Sequence, residues 1–270
     1  MIIQSIILGF VQGLTEFLPV SSSGHLVLIP KLFGWTDPGL AFDATIHLAT
    51  LAAVIVALWV DVKAITLGVF KRNENGRLGW FIVAATVPVL AVGFFASDWL
   101  EATFRSPLAI AASLAFWGVV LWVADALVRK NADPPSPGYG VARGDLVKIG
   151  WKRSLAIGLS QIIAFIPGSS RSGITITAGL FGGLTREAAA RFSFLVGIPS
   201  IAAAGGFSLL KIISGGESFD WLSLAIAFIA AFLSGFLAIK FLLKIMKATS
   251  YKWFVIYRII LAGIIILIFI

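Results

Sequence analysis

Leu8–His25, LGFVQGLTEFLPVSSSGH, is apolar enough to enter a bilayer and then breaks its own helix. Pro19 has no backbone donor to continue the ladder, and Ser21, Ser22, Ser23 and Gly24 follow it, a run at which helices end. Glu16 lies just before the break and His25 just after it. A second stretch, Ile157–Ile174, IGLSQIIAFIPGSSRSGI, repeats the design. Laid over one another without gaps, the two share Gly9/Gly158, Gln12/Gln161, Ser21/Ser170, Ser23/Ser172 and Gly24/Gly173. In the same register, LFGWT at 32–36 faces FGGLT at 181–185. A match that persists at a fixed offset reads as an internal repeat.

The surroundings of both stretches are membrane-like. The chain is 59% hydrophobic and 13% charged, a balance that would expose large apolar patches on a soluble domain. Six further segments reach the roughly 20 apolar residues that a bilayer needs: 41–60, 79–97, 107–128, 190–212, 221–243 and 253–270. The N-terminus MIIQSIILGF lacks a basic leader and a small-x-small cleavage site, so no signal peptide is expected. There is no cysteine, which excludes disulfides and thiolate chemistry.

The net charge of +8 does not read as nucleic-acid binding, because the bases sit in loops between apolar runs. Lys63, Lys71, Arg72 and Arg77 share loop 61–77, and Asp98 and Glu101 face Arg105 in loop 98–106. Arg129, Lys130, Arg143, Lys148, Lys152 and Arg153 share loop 129–153. Glu217 and Asp220 follow in loop 213–220, then Lys240, Lys244, Lys247 and Lys252. This alternation fits six crossings with the basic loops in the cytoplasm and both termini outside.

If each broken stretch is a re-entrant pair of short helices, it enters and leaves by one face. Each repeat then crosses three times, an odd number, so the second copy is inverted and the two breaks can meet at mid-membrane. The expected fold is an all-α polytopic integral membrane bundle of two inverted-topology repeats, each a re-entrant helical hairpin plus three transmembrane helices. Repeat one spans about 1–128, a cytoplasmic linker containing DPPSPGYG about 129–151, and repeat two about 152–270.

The alignment sets Ser22 opposite Arg171. One break thus offers a hydroxyl, and the other a permanent cation with a planar donor fork suited to phosphate. Gly168 and Ser170 around Arg171, and Ser21 in the first break, are small residues whose backbone an anion can approach. Gln12 and Glu16, four apart, share a helical face. Carboxylate, hydroxyl, imidazole and guanidinium are the parts of phosphoryl transfer. Arg171 would neutralise oxygens, Ser22 would attack, and Glu16 would hold a divalent cation or accept a proton. Charges at membrane depth cost roughly 2.5–3.5 kcal/mol or more and mark functional sites; a structural Glu16–Arg171 ion pair is the competing reading. His47 reads as structural or substrate-lining. Arg186, Glu187 and Arg191 read as helix caps at the interface, and Asp43 fits either role.

QGLTEFLPVSSSGH, PGSSRSGITIT, RFSFLVGIPS and IYRIILAG together resemble the bacterial undecaprenyl-diphosphate phosphatase family, also known for bacitracin resistance. The resemblance covers nearly the whole chain. It implies a multi-pass protein of the bacterial inner membrane that removes one phosphate from a polyprenyl diphosphate lipid, recycling the carrier for peptidoglycan synthesis. It also implies an extracytoplasmic-facing site and a divalent cation, Mg²⁺ or Ca²⁺. By motif position Ser22 matches the nucleophile, His25 the essential histidine, Glu16 an acidic residue and Arg171 the diphosphate-binding arginine, with Ser170 and Thr175 as further polar contacts. Ser22 is preferred as the attacking group with His25 as its proton-transfer partner; the reverse remains the alternative. Gln12 stands where many members carry glutamate, which makes it a weak metal ligand beside Glu16. Membrane lipids are the expected surroundings, no nucleic acid is a partner, and the oligomeric state is open between monomer and homodimer. A transporter or lipid flippase is the main rival. A phosphatidic-acid phosphatase is disfavoured because Thr177 stands where its second histidine belongs, and an intramembrane serine protease because Arg171 would have no role.

Overall fold

The computed structural model describes residues 2–36, 39–104, 106–131, 146, 149–215 and 220–269. Its helices are α1 (Ile2–Phe17), α2 (Ser22–Phe33), α3 (Leu40–Ala57), α4 (Trp59–Lys71), α5 (Glu74–Phe104) and α6 (Pro107–Asn131). After the linker come α7 (Gly150–Ser160), continued by a 3₁₀ turn (Gln161–Phe165), then α8 (Arg171–Phe181), α9 (Arg186–Gly215), α10 (Trp221–Ile245) and α11 (Lys252–Phe269). Most of the linker expected over 129–151 lies outside the described residues, as does Glu217.

Among the described residues five helices, α5, α6, α9, α10 and α11, are each long and apolar enough to span a bilayer, and α3 with α4 makes a sixth if the bent pair is one span. Their outward faces carry Phe94, Phe95, Trp122, Leu237 and Leu267, all exposed, while Gln12, Glu16, Arg191 and Arg258 are buried. That inside-out distribution is what hydrocarbon as solvent requires. The chain is a multi-pass helical membrane protein.

Two readings of the loops need correction. Segment 41–60 is not one straight crossing: α3 ends at Ala57 and α4 leaves at 83°. The break is held from both sides. Lys240 of α10 donates to the carbonyl of Ala57 at 3.0 Å, and Asp61 in the first turn of α4 pairs with Arg191 of α9 at 2.6 Å. Most of the basic loop 61–77 is therefore helix α4. The acidic loop 98–106 is largely the last turns of α5, whose 31 residues make a rod of about 46 Å. That exceeds the roughly 30 Å hydrocarbon core, so one end projects past it.

The packing exchanges elements between the two halves. α1 lies along α10, and α7, its counterpart in the alignment, lies along α5. The seams are made by small residues, which let backbones approach. Gly9 of α1 abuts the backbone of Ala227, and its aligned partner Gly158 abuts that of Ala85. α3 packs on α9 and α10, and α6 packs on α8 and α11. The two breaks, 18–21 and 166–170, are thereby enclosed by spans from both halves.

Candidate active site

The two breaks have one local geometry. Ser21 caps α2 with φ 74° and ψ 96°, and Ser170 caps α8 with φ 72° and ψ 109°. Each hydroxyl accepts from an amide three residues on, Gly24 at 3.3 Å and Gly173 at 3.2 Å. This is serine N-capping in an unusual left-handed backbone. Each cap also touches the serine two residues on, Ser21 to Ser23 at 3.3 Å and Ser170 to Ser172 at 3.2 Å. The breaks meet directly where the Ser172 hydroxyl donates to the carbonyl of Leu18 at 3.0 Å.

Helices α2 and α8 therefore begin at Ser22 and Arg171, and their N-terminal dipole ends favour negative charge beside those two residues. Glu16, at the end of α1 and 8% exposed, joins them. Ser22 Oγ donates to Glu16 Oε2 at 2.8 Å, and Arg171 Nη2 donates to Glu16 Oε1 at 2.8 Å. Gln12 Nε2 adds a bond to Oε2 at 3.1 Å. Hydroxyl and guanidinium, distant in sequence, thus converge on one carboxylate. The Glu16–Arg171 ion pair that competed as a structural reading is formed, and it includes the serine.

Two buried polar atoms at this cluster lack a partner among the described residues, Arg171 Nη1 and Gln12 Oε1. An unpaired guanidinium nitrogen is a donor held ready for an anion. An unpaired amide oxygen beside a carboxylate is the kind of donor a hard divalent cation takes. Among the described residues there is no group of three or more His, Cys, Asp or Glu side chains suited to a metal. Glu16 and Gln12 together present oxygen atoms from one carboxylate and one amide.

Other candidates have local duties. Both ring nitrogens of His25 are engaged by groups other than the Ser22 hydroxyl: its Nδ1 meets the Ser21 carbonyl at 2.6 Å and its Nε2 meets the Tyr257 hydroxyl at 2.5 Å. Thr175 is fully buried, with its hydroxyl on the Arg171 carbonyl at 2.8 Å and on Ser193 Oγ at 2.6 Å. Gly168 has φ 91°, and Ile110 and Ser113 crowd the space where a side chain would project. His47 is within electrostatic reach of Glu16, with Nδ1 on the Asp43 carbonyl at 2.7 Å. Arg186, Glu187 and Arg191 do not cap α9. Thr185 does so, through the Ala188 amide at 3.3 Å, while Arg186 pairs with Asp125 and Arg191 with Asp61 and Glu187. Ion pairing wins there because buried charges need partners more than exposed helix ends need caps.

The sequence motifs assign no role to Tyr257 or Arg258, adjacent on α11. Arg258 is fully buried and donates to the carbonyls of Leu114, Pro19, Gly168 and Ser169. An arginine inside the apolar span IYRIILAG was the available signal.

Comparison with known proteins adds a family. The bacitracin resistance protein BacA family matches residues 5–264. A protein named undecaprenyl-diphosphatase from Chloroherpeton thalassium is 45% identical, over 96% of this chain and 94% of its own length. Undecaprenyl-diphosphatase 2 from Stutzerimonas stutzeri is 42% identical, over 99% of this chain and 98% of its own. A namesake from Moorella thermoacetica is 43% identical with the same coverage.

Proposed function

The chain belongs to the bacitracin resistance protein BacA family, and from that premise we propose that it is a membrane-embedded undecaprenyl-diphosphatase. It hydrolyses undecaprenyl diphosphate to undecaprenyl phosphate and inorganic phosphate, which returns the carrier to peptidoglycan synthesis and confers bacitracin resistance. The observation that carries this reading is the Glu16 carboxylate shared by Ser22 and Arg171.

The chemistry follows from those contacts. The diphosphate approaches the N-termini of α2 and α8, where the guanidinium of Arg171, whose side chain is 15% exposed, donates to its oxygens. Ser22 Oγ, already donating to Glu16 Oε2, attacks the terminal phosphorus and passes its proton to that carboxylate. The bond from phosphorus to the bridging oxygen breaks, and undecaprenyl phosphate leaves as the anion. Water then attacks the phosphoserine, releasing inorganic phosphate and restoring the hydroxyl. Glu16 and Gln12 Oε1 would hold a divalent cation, Mg²⁺ or Ca²⁺, which when bound supplies positive charge to the diphosphate. His25, between the Ser21 carbonyl and Tyr257, holds the start of α2; its attack on phosphorus is the alternative to Ser22.

The matching caps Ser21 and Ser170 and the exchanged packing of α1 and α7 support two inverted repeats whose breaks enter from opposite leaflets. In that arrangement the enzyme lies in the bacterial inner membrane, with its site facing the extracytoplasmic side and both termini there. A prenyl tail never leaves the lipid, so a site among membrane spans meets its substrate where the substrate resides.

Phosphate release from undecaprenyl diphosphate by purified protein in detergent tests the reading. Release that needs a divalent cation and disappears in S22A and R171A is the expected result. An acid-stable phosphoenzyme fits Ser22, and an acid-labile one fits His25. Lipid translocation by the folded protein without any phosphate release would instead favour a transporter.

A further inference from the structure

We propose that Arg258 is a positioning residue that fixes the two breaks against each other and so keeps Ser22 and Arg171 on one carboxylate. This role rests on the phosphatase reading for its kinetic consequence only. The guanidinium is 0% exposed and has no carboxylate partner among the described residues. Instead Nε donates to Leu114 O of α6 at 3.0 Å, Nη1 to Pro19 O at 3.4 Å, and Nη2 to Gly168 O and Ser169 O at 3.0 Å each.

The choice of acceptors is informative. Anchoring α11 to the bundle needs only the bond to Leu114. The other three go to break carbonyls, and Pro19 and Gly168 are equivalent positions of the aligned stretches. A helix that stops inside the membrane leaves its last carbonyls without partners. One planar fork with five donors can serve both stops at once, which a lysine ammonium cannot do with the same geometry. A buried cation is a costly way to hold a helix that apolar packing would hold more cheaply. Its cost is understandable if it sets the separation of the breaks, since an error of about 1 Å at a reacting centre costs about 100-fold in rate.

The test uses the full-length protein in detergent, with hydrogen–deuterium exchange and phosphate release measured together. In R258M, exchange should rise at both breaks, 18–21 and 166–170, and stay unchanged in the middle of α5 and α10. Turnover per folded molecule should fall about 100-fold with KM nearly unchanged. R258K should lie between R258M and the parent. Gly173→Ala offers an independent route, because a Cβ there would come within 2.8 Å of Arg258 Nη1 while the arginine remains. It should give the same two-break signature. Gly118→Ala, which would only reach ordinary contact with the Arg258 side chain, should leave turnover unchanged. Exchange that rises at one break only, or evenly over all helices, would overturn the proposal, as would turnover per folded molecule within about threefold of the parent. If R258M does not fold, R258K and G173A decide. If the parent protein releases no phosphate, the phosphatase reading fails while exchange still reports on the clamp.

Discussion

Gly197 of α9 lies so close to the Arg171 guanidinium that a methyl group added at Gly197 would occupy the space of Nη1. The arginine reaches Glu16 only because that wall has no side chain. G197A should therefore push the guanidinium off the carboxylate and lower kcat/KM by about 100-fold, with the protein still monodisperse. Gly206, on the same helix, is the control: a methyl group added there would have no atom within 4 Å, and G206A should turn over normally. Phosphate release measured for the two variants side by side decides it; equal activity would mean that Arg171 is not held from the α9 side.

Gln12 contributes an amide oxygen without a partner beside Glu16. A second carboxylate at that position should strengthen a cation site built from oxygen donors. Q12E should lower the Mg²⁺ concentration that gives half-maximal phosphate release, and Q12A should raise it. A titration after chelator treatment measures both. Identical midpoints in all three proteins would remove Gln12 from the cation site.

Ser21 and Ser170 combine a positive φ with a capping hydroxyl. Alanine loses the cap and keeps the backbone strain, whereas glycine loses the cap and relieves the strain. S21A and S170A should each destabilise the folded protein by about 1 kcal/mol, and S21G and S170G by a few tenths. Thermal melting in detergent separates these cases, and alanine variants as stable as the glycine variants would contradict the capping account.

Asp61 and Arg191 form a buried pair at 2.6 Å between α4 and α9, with side chains 7% and 8% exposed. D61A leaves a buried cation short of a partner and should cost roughly 3–5 kcal/mol. The double variant D61A/R191L should recover much of that loss. Because neither residue contacts the Glu16 cluster, turnover per folded molecule should stay near normal in both. A double variant no more stable than D61A would show that α4 is held by something else.

The breaks were legible because helix stopping is local: Pro19, Pro167 and the serine runs interrupt apolar periodicity wherever the chain goes. Ser22, Glu16 and Arg171 were legible as candidates because polar side chains in apolar stretches stand out, and the structure brings the three together. The elbow at Leu58 was not, since 51–60 is continuously apolar and its bend is held by Lys240 and Arg191 from other helices. Nor was the orientation of His25, which is set by Tyr257, 232 residues away.

The amino-acid order alone determined a helical membrane chain with two interrupted stretches that carry polar and charged side chains, because hydropathy and helix breaking are decided by neighbours along the chain. Only the tertiary structure decided that Glu16 bridges Ser22 to Arg171 and that Arg258 reaches back 239 residues to Pro19. Those bonds depend on which carbonyls and carboxylates are left unpaired when the helices pack, and that is a property of the folded bundle.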